Sequence, residues 1–186
     1  MKSIYTCICL SFFASMCFVS CLSQATVTSI QKIVLIRHAE KPDRGDNLSC
    51  MGLNRSLQLP AVLSRKFKTF NSVFVPSLSG GHSTKHARMY QTIIPYAIRQ
   101  NLNINSNYDV DDIQGITAAI KKAGGSVLLV WEHKNISKIV KALGAKDSNM
   151  KWDDNDFDSI WVLTFNNGIG TLSKDSENLN PSPNCN

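Results

Sequence analysis

Two unbroken apolar runs stand out along the chain, Ile33-Val34-Leu35-Ile36 and Val127-Leu128-Leu129-Val130-Trp131. Short, β-branched-rich runs without polar alternation predict strands buried on both faces, as at the centre of a parallel sheet. Both stop abruptly at charged residues, the first at Arg37-His38 and the second at Glu132-His133. Ser72-Val73-Phe74-Val75, ending at Pro76-Ser77, predicts a further strand. Helical patterns separate these runs. Ser49 is the expected N-cap of a helix through Arg55, Leu57 and Leu59, with Pro60 interrupting or restarting it before Ala61 to Phe67. A second helix is expected over about Ala87 to Gln100. In the stretch Asp109 to Ala123, Ile113, Ile116, Ala119 and Ile120 recur at helical spacing behind Asp111-Asp112, and Gly124-Gly125 ends it. Asn135 is the expected cap of a helix from Ile136 to Leu143. Phe157 to Phe165 and Ile169 to Leu172 flank Asn166-Asn167-Gly168 as a hairpin, with Trp152 and Trp161 in packing roles.

A chain of 186 residues with 43% hydrophobic content suits one domain with one core, and neither an internal repeat nor a linker divides it. Its first 25 residues differ in kind. Lys2 precedes an uncharged apolar stretch from Ile4 to Leu22, and Ser23-Gln24-Ala25 has the small-x-small form of a cleavage site. Residues 1–25 therefore read as an export signal, residues 26–175 as the folded domain and 176–186 as a polar tail. A second reading makes Phe18-Val19-Ser20-Cys21 a lipoprotein processing site that leaves Cys21 lipidated and attached to a membrane. An uncleaved span is a poorer reading because of the serines and cysteines within the stretch. On either of the first two readings the protein is exported: periplasmic, secreted or lipid-anchored.

Four of six cysteines, Cys7, Cys9, Cys17 and Cys21, lie in this leader. Cys50 and Cys185 remain, either as a disulfide formed in an oxidising compartment or as two unrelated thiols. A bridge would staple the tail to the first helix; without it the tail is expected to be disordered. The formal charge of +6, or +5 once Lys2 is removed, suits an anionic small substrate and equally a merely soluble surface. No dense basic run interleaved with aromatics marks a nucleic-acid groove.

Arg37-His38-Ala39-Glu40 resembles the first motif of the histidine phosphatase, or phosphoglycerate mutase-like, family. Leu48, Ser49 and Gly52 resemble the segment that opens that family's first helix. Arg88 and Thr92 resemble its second motif, and the strand ending at His133 its last. The resemblance covers about residues 31 to 175. It implies a three-layer α/β/α sandwich with a mostly parallel central sheet and a site at the carboxyl ends of the strands. It further implies that His38 is the phosphoryl-accepting nucleophile, that Arg37 and Arg88 bind phosphate, and that His133 stabilises the developing charge. Arg44 and His82 are additional candidate substrate contacts.

Such a site needs no metal or other cofactor, because forked guanidinium cations match the peripheral oxygens of a phosphoryl group. The expected partner is a small phosphorylated molecule or a phosphoprotein. The leaving-group acid is where the chain departs from the family: Lys134 stands where one branch has aspartate, and Ser77 to Tyr108 contains no acidic residue. Glu132, Asp43 and Asp46 are the candidates, with Glu40 in a structural role. The departure favours substrates with good leaving groups, and it leaves a second reading, an anion-binding protein of the same fold with little or no turnover. Two other patterns compete more weakly. Gly80 to Lys85 has phosphate-loop ingredients in the wrong order, and His82 and His86 have zinc-ligand spacing without the accompanying glutamate.

Overall fold

The computed structural model describes residues 29–79, 86–146 and 150–185. Six strands form one sheet: β1 (Ile30–Arg37), β2 (Ser72–Pro76), β3 (Ile104–Tyr108), β4 (Gly125–Trp131), β5 (Ser159–Asn166) and β6 (Ile169–Ser176). Their order is β3-β2-β4-β1-β5-β6. The first four run parallel to one another, while β5 is antiparallel to both β1 and β6. The two apolar runs lie side by side at the centre, with Ile33 opposite Val127 and Arg37 opposite Trp131. Ile33 to Ile36 and Val127 to Trp131 are fully buried. Helices on both faces make this continuous apolar pattern necessary. α1 (Cys50–Lys66) packs on α2 (Ala87–Gln100), and α3 (Ile113–Ala123) packs on α4 (His133–Ala142), which completes the α/β/α sandwich.

Several local expectations are corrected. α1 runs unbroken through Pro60, although an interior proline ordinarily costs about 3 kcal/mol; buried Leu59, Val62 and Leu63 on the same helix favour its continuation. α3 begins at Ile113 rather than near Asp109, with the Asp112 side chain accepting from Gly115 N at 2.8 Å. Strand β3 had no counterpart in the apolar pattern. α4 starts at His133, capped by Glu132 and not by Asn135, whose amide donates instead to Val110 O at 3.0 Å and Asp111 Oδ1 at 2.9 Å.

The tail is ordered. Cys185 forms a disulfide with Cys50, and Asn54 Nδ2 donates to the carbonyls of Ser182 and Asn184 at 2.9 and 2.8 Å. Glu177, just past β6, is 2% exposed. Its carboxylate accepts from Arg55 Nη1 at 2.6 Å, while Arg55 Nε and Nη2 hold Glu40 at 2.9 to 3.0 Å. Glu40 is therefore tied to α1 and to the tail.

Candidate active site

Parallel pairing of β1 with β4 brings their carboxyl ends to one rim of the sheet. His38 follows one strand and Glu132-His133 the other, so residues almost one hundred positions apart meet as a consequence of register.

His38 is 4% exposed. Its Nδ1–H donates to the carbonyl of Ala39 at 2.7 Å, a bond that leaves Nε2 as the unprotonated nitrogen of the neutral ring. Burial, opposed by the Ala39 carbonyl and aided by the positive fields of Arg37, Arg88 and His133, pushes the imidazole down to about 4. The ring is accordingly neutral near pH 7. The same three residues that surround it electrostatically are those expected to hold a phosphate.

Arg37 is also 4% exposed and is fixed from below. Its Nη1 donates to the carbonyls of Asp154 at 2.7 Å, Asp156 at 3.1 Å and Asp153 at 3.4 Å. Its guanidinium carbon lies 3.8 Å from the centre of the Phe157 ring, which also meets His38 edge-on with centroids 6.0 Å apart. Burial lowers the Arg37 pKa, and Glu132, Asp154, Asp156 and Asp153 oppose that shift.

Arg88 sits in the first turn of α2, and its Nη1 donates to Gly45 O at 3.3 Å. One turn on, Thr92 Oγ1 accepts from Ala39 N at 2.9 Å and donates to Arg88 O at 2.7 Å. The spacing of Arg88 and Thr92 thus has a mechanical basis: the threonine docks α2 against the residue after His38. Ser49 and Gly52 act similarly for α1. Ser49 N donates to Glu40 O at 2.9 Å, its hydroxyl caps Gly52 N at 3.1 Å, and a Cβ on Gly52 would overlap the Glu40 carbonyl.

His133, at the start of α4, lies between two carboxylates. Its Nε2–H donates to Asp154 Oδ1 at 2.9 Å, and its Nδ1 is 3.2 Å from Glu132 Oε1 without hydrogen-bonding alignment. Glu132 is occupied as the helix cap, accepting from Lys134 N at 3.1 Å. The bond from His133 lowers the Asp154 carboxyl, aided by Lys151 and Lys134, so Asp154 is ionised at neutral pH. Asp154 and Phe157 had no sequence motif to mark them; the acidic cluster Asp153-Asp154-Asn155-Asp156 was the sole available signal.

The structure brings together Arg37, His38, Arg88, Glu132 and His133. Arg44, with Asp43 and Asp46, lies exposed on the loop whose Gly45 carbonyl meets Arg88. His82 falls outside the described residues, and with it the zinc pairing to His86 and the Gly80 to Lys85 loop. Among the described residues, no group of three or more His, Cys, Asp or Glu is placed to hold a metal ion. Arg37 Nε, Arg88 Nε and His133 Nδ1 are buried without a hydrogen-bond partner among those residues. The two guanidinium N–H groups are unsatisfied buried donors, which are costly to leave without an acceptor.

No family model and no curated protein matches the sequence. Solved structures do match the fold. A protein histidine phosphatase, SixA, complexed with tungstate has a TM-score of 0.56 at 18% identity, covering 78% of this chain and 97% of its own. A putative α-ribazole-5'-P phosphatase from Escherichia coli K-12 has a TM-score of 0.56 at 12% identity, with coverage of 77% and 95%. A phosphoglycerate mutase from Bacillus anthracis has a TM-score of 0.54 at 14% identity, with coverage of 82% and 95%. The chain has the α/β fold of phosphoglycerate mutase-like histidine phosphatases.

Proposed function

We propose that this protein is a phosphatase that works through a phosphohistidine on His38 and uses side-chain cations in place of a metal. The observation that carries this reading is the neutral, buried imidazole of His38 set among Arg37, Arg88 and His133, with Arg37 Nε and Arg88 Nε lacking hydrogen-bond partners among the described residues. In the first step the lone pair of His38 Nε2 forms a bond to phosphorus, and the bond to the leaving group breaks with its electron pair departing on that group. Water then attacks phosphorus, the P–N bond breaks, and inorganic phosphate and neutral His38 are regenerated, with the water protons passing to phosphate and solvent. Arg37, Arg88 and His133 hold the peripheral oxygens throughout.

The acid question bears on the substrate. Glu132 is engaged as a cap, and Asp154 is ionised at neutral pH, so neither is a ready proton donor. Leaving groups that depart without a proton from the enzyme fit best, such as the phenolate of an aryl phosphate or the solvent-protonated imidazole of a phosphohistidine. The likeness in fold to a protein histidine phosphatase accords with the latter. We further propose that the protein is exported, secreted or held by a lipid on Cys21; the Cys50–Cys185 disulfide supports an oxidising compartment.

Hydrolysis of 4-nitrophenyl phosphate, with and without chelator, tests the reading. Chelator-resistant turnover that His38→Ala abolishes is expected. Phosphate or vanadate binding without turnover would instead favour an anion-binding protein.

A further inference from the structure

The parallel strands send their carboxyl ends to the rim that carries His38, and the helices between them return the chain to the other rim. Contacts tie that second rim together. Gln100 Nε2, at the end of α2, donates to Ser64 Oγ near the end of α1 at 3.2 Å. Asn71 Oδ1, just before β2, accepts from Ser126 N at 2.8 Å, and Gly125 N donates to Ser29 O at 3.0 Å. Lys122, near the end of α3, lines one cavity with Asn71 and Asn103. Because Ser29 immediately precedes β1, the chain also enters the fold at this rim.

Charge divides between the two rims. Arg65, Lys68, Arg99, Lys121 and Lys122 stand exposed at the second one, and none enters an ion pair among the described residues. Lys66, beside them, is paired with Asp175 at 2.8 Å. Among the described residues, the other acids follow β1, β3 or β4 or precede β5, at the rim of the site, apart from Glu177, which is buried against Arg55. The helix dipole favours cations in last turns, which accounts for Arg65, Arg99, Lys121 and Lys122. It accounts neither for Lys68, which lies beyond α1, nor for the segregation of the acids. Ile98, next to Arg99, is 74% exposed and adds an apolar side chain to the cations.

We propose that this rim is an interaction surface for a membrane bearing anionic lipid headgroups. Clustered cations flanking an exposed apolar side chain fit the boundary between headgroups and acyl chains. The chain before Ser29, with its apolar stretch from Ile4 to Leu22, joins the fold at the same rim, so attachment through it brings these cations, and not the site, to the bilayer. The eight residues of β1 set His38 roughly 25 Å from the docked rim. Docking leaves the candidate site facing the aqueous phase and open to soluble substrates, and it stands independently of the phosphatase reading.

The test is flotation of the whole chain with phosphatidylcholine vesicles, with and without about 30% phosphatidylglycerol. The readout is the ratio of the two partition coefficients, in which the apolar contribution of the leader cancels. Each cation held at such a surface is worth about fivefold in partition. Lys68→Gln/Arg99→Gln/Lys122→Gln is expected to lower the wild-type ratio by about tenfold or more. Lys41→Gln/Lys134→Gln/Lys151→Gln makes the same change in net charge at the opposite rim, beyond the reach of the surface potential, and should leave the ratio within about twofold. A wild-type ratio near one, or an equal fall in both variants, would overturn the proposal. Binding to a DNA duplex that only the first variant loses, with a vesicle ratio near one, would overturn it too and assign the rim to nucleic acid.

Discussion

Arg55 Nη1 lies 2.6 Å from Glu177 Oε2, and both side chains are buried. Because the rest of the same guanidinium holds Glu40, the end of the last strand is linked to the residue two positions after His38. Removing Glu177 leaves Arg55 Nη1 buried with only the longer contact to Asp158 at 3.4 Å, while Glu40 still balances the charge. Glu177→Ala is expected to destabilise the fold by about 2 kcal/mol, read as a lower urea midpoint at unchanged slope. A midpoint equal to wild type would show that the pair contributes no net stability.

The disulfide closes a loop with a sequence separation of 135 residues between Cys50 and Cys185. On the chain-entropy account, reduction should cost up to about 5 kcal/mol. Thermal melts with and without reductant check this, and coincident melts would mean that the tail is held by its hydrogen bonds alone.

The centre of the sheet was legible in the sequence because β1 and β4 are buried on both faces and their apolar runs have no other use. Edge strand β3 was not. Ile104-Asn105-Ser106-Asn107-Tyr108 pairs on one side only and tolerates asparagines that no strand pattern signals. Asn135 is not the cap because its side-chain oxygen accepts from Lys138 Nζ at 2.8 Å, while its amide donates to the distant Val110 carbonyl. At the site, residues at strand ends and helix starts could be found from the abrupt change in polarity. Asp154 and Phe157 could not, since they come from an irregular stretch after Met150 and reach Arg37 and His38 only through the tertiary fold.

Asp154 holds two site residues by different atoms, Arg37 through its carbonyl and His133 through its carboxylate. Asp154→Ala keeps the first bond and deletes the second. It should lower kcat about tenfold, the worth of one charge-assisted hydrogen bond, with little change in melting temperature because the side chain is 67% exposed. Asp154→Asn, which retains an acceptor, should restore most of the loss. A variant that melts early, or no rescue by asparagine, would contradict a positioning role.

The lowered pKa of His38 gives a pH signature. If its neutral form is the nucleophile, the acid limb of kcat/KM lies near pH 4, and activity persists at pH 5, where an ordinary imidazole would be mostly protonated. The same shift links to stability. Between about pH 4 and 6.5 the unfolded chain binds more protons at this histidine than the folded one, so stability rises with pH across that window, by up to about 3 kcal/mol. His38→Ala should remove this contribution. An acid limb near pH 6.5, or a stability profile unchanged in the variant, would refute the assignment.

The most direct measurement is of the covalent intermediate. Wild-type protein mixed with radiolabelled aryl phosphate and quenched within one turnover should carry label that survives base and is released by acid, as expected for phosphate on a histidine nitrogen. Peptide mapping should place it on His38, and His38→Ala should carry none. Turnover with no trapped label, or label on any other residue, would contradict the phosphohistidine account.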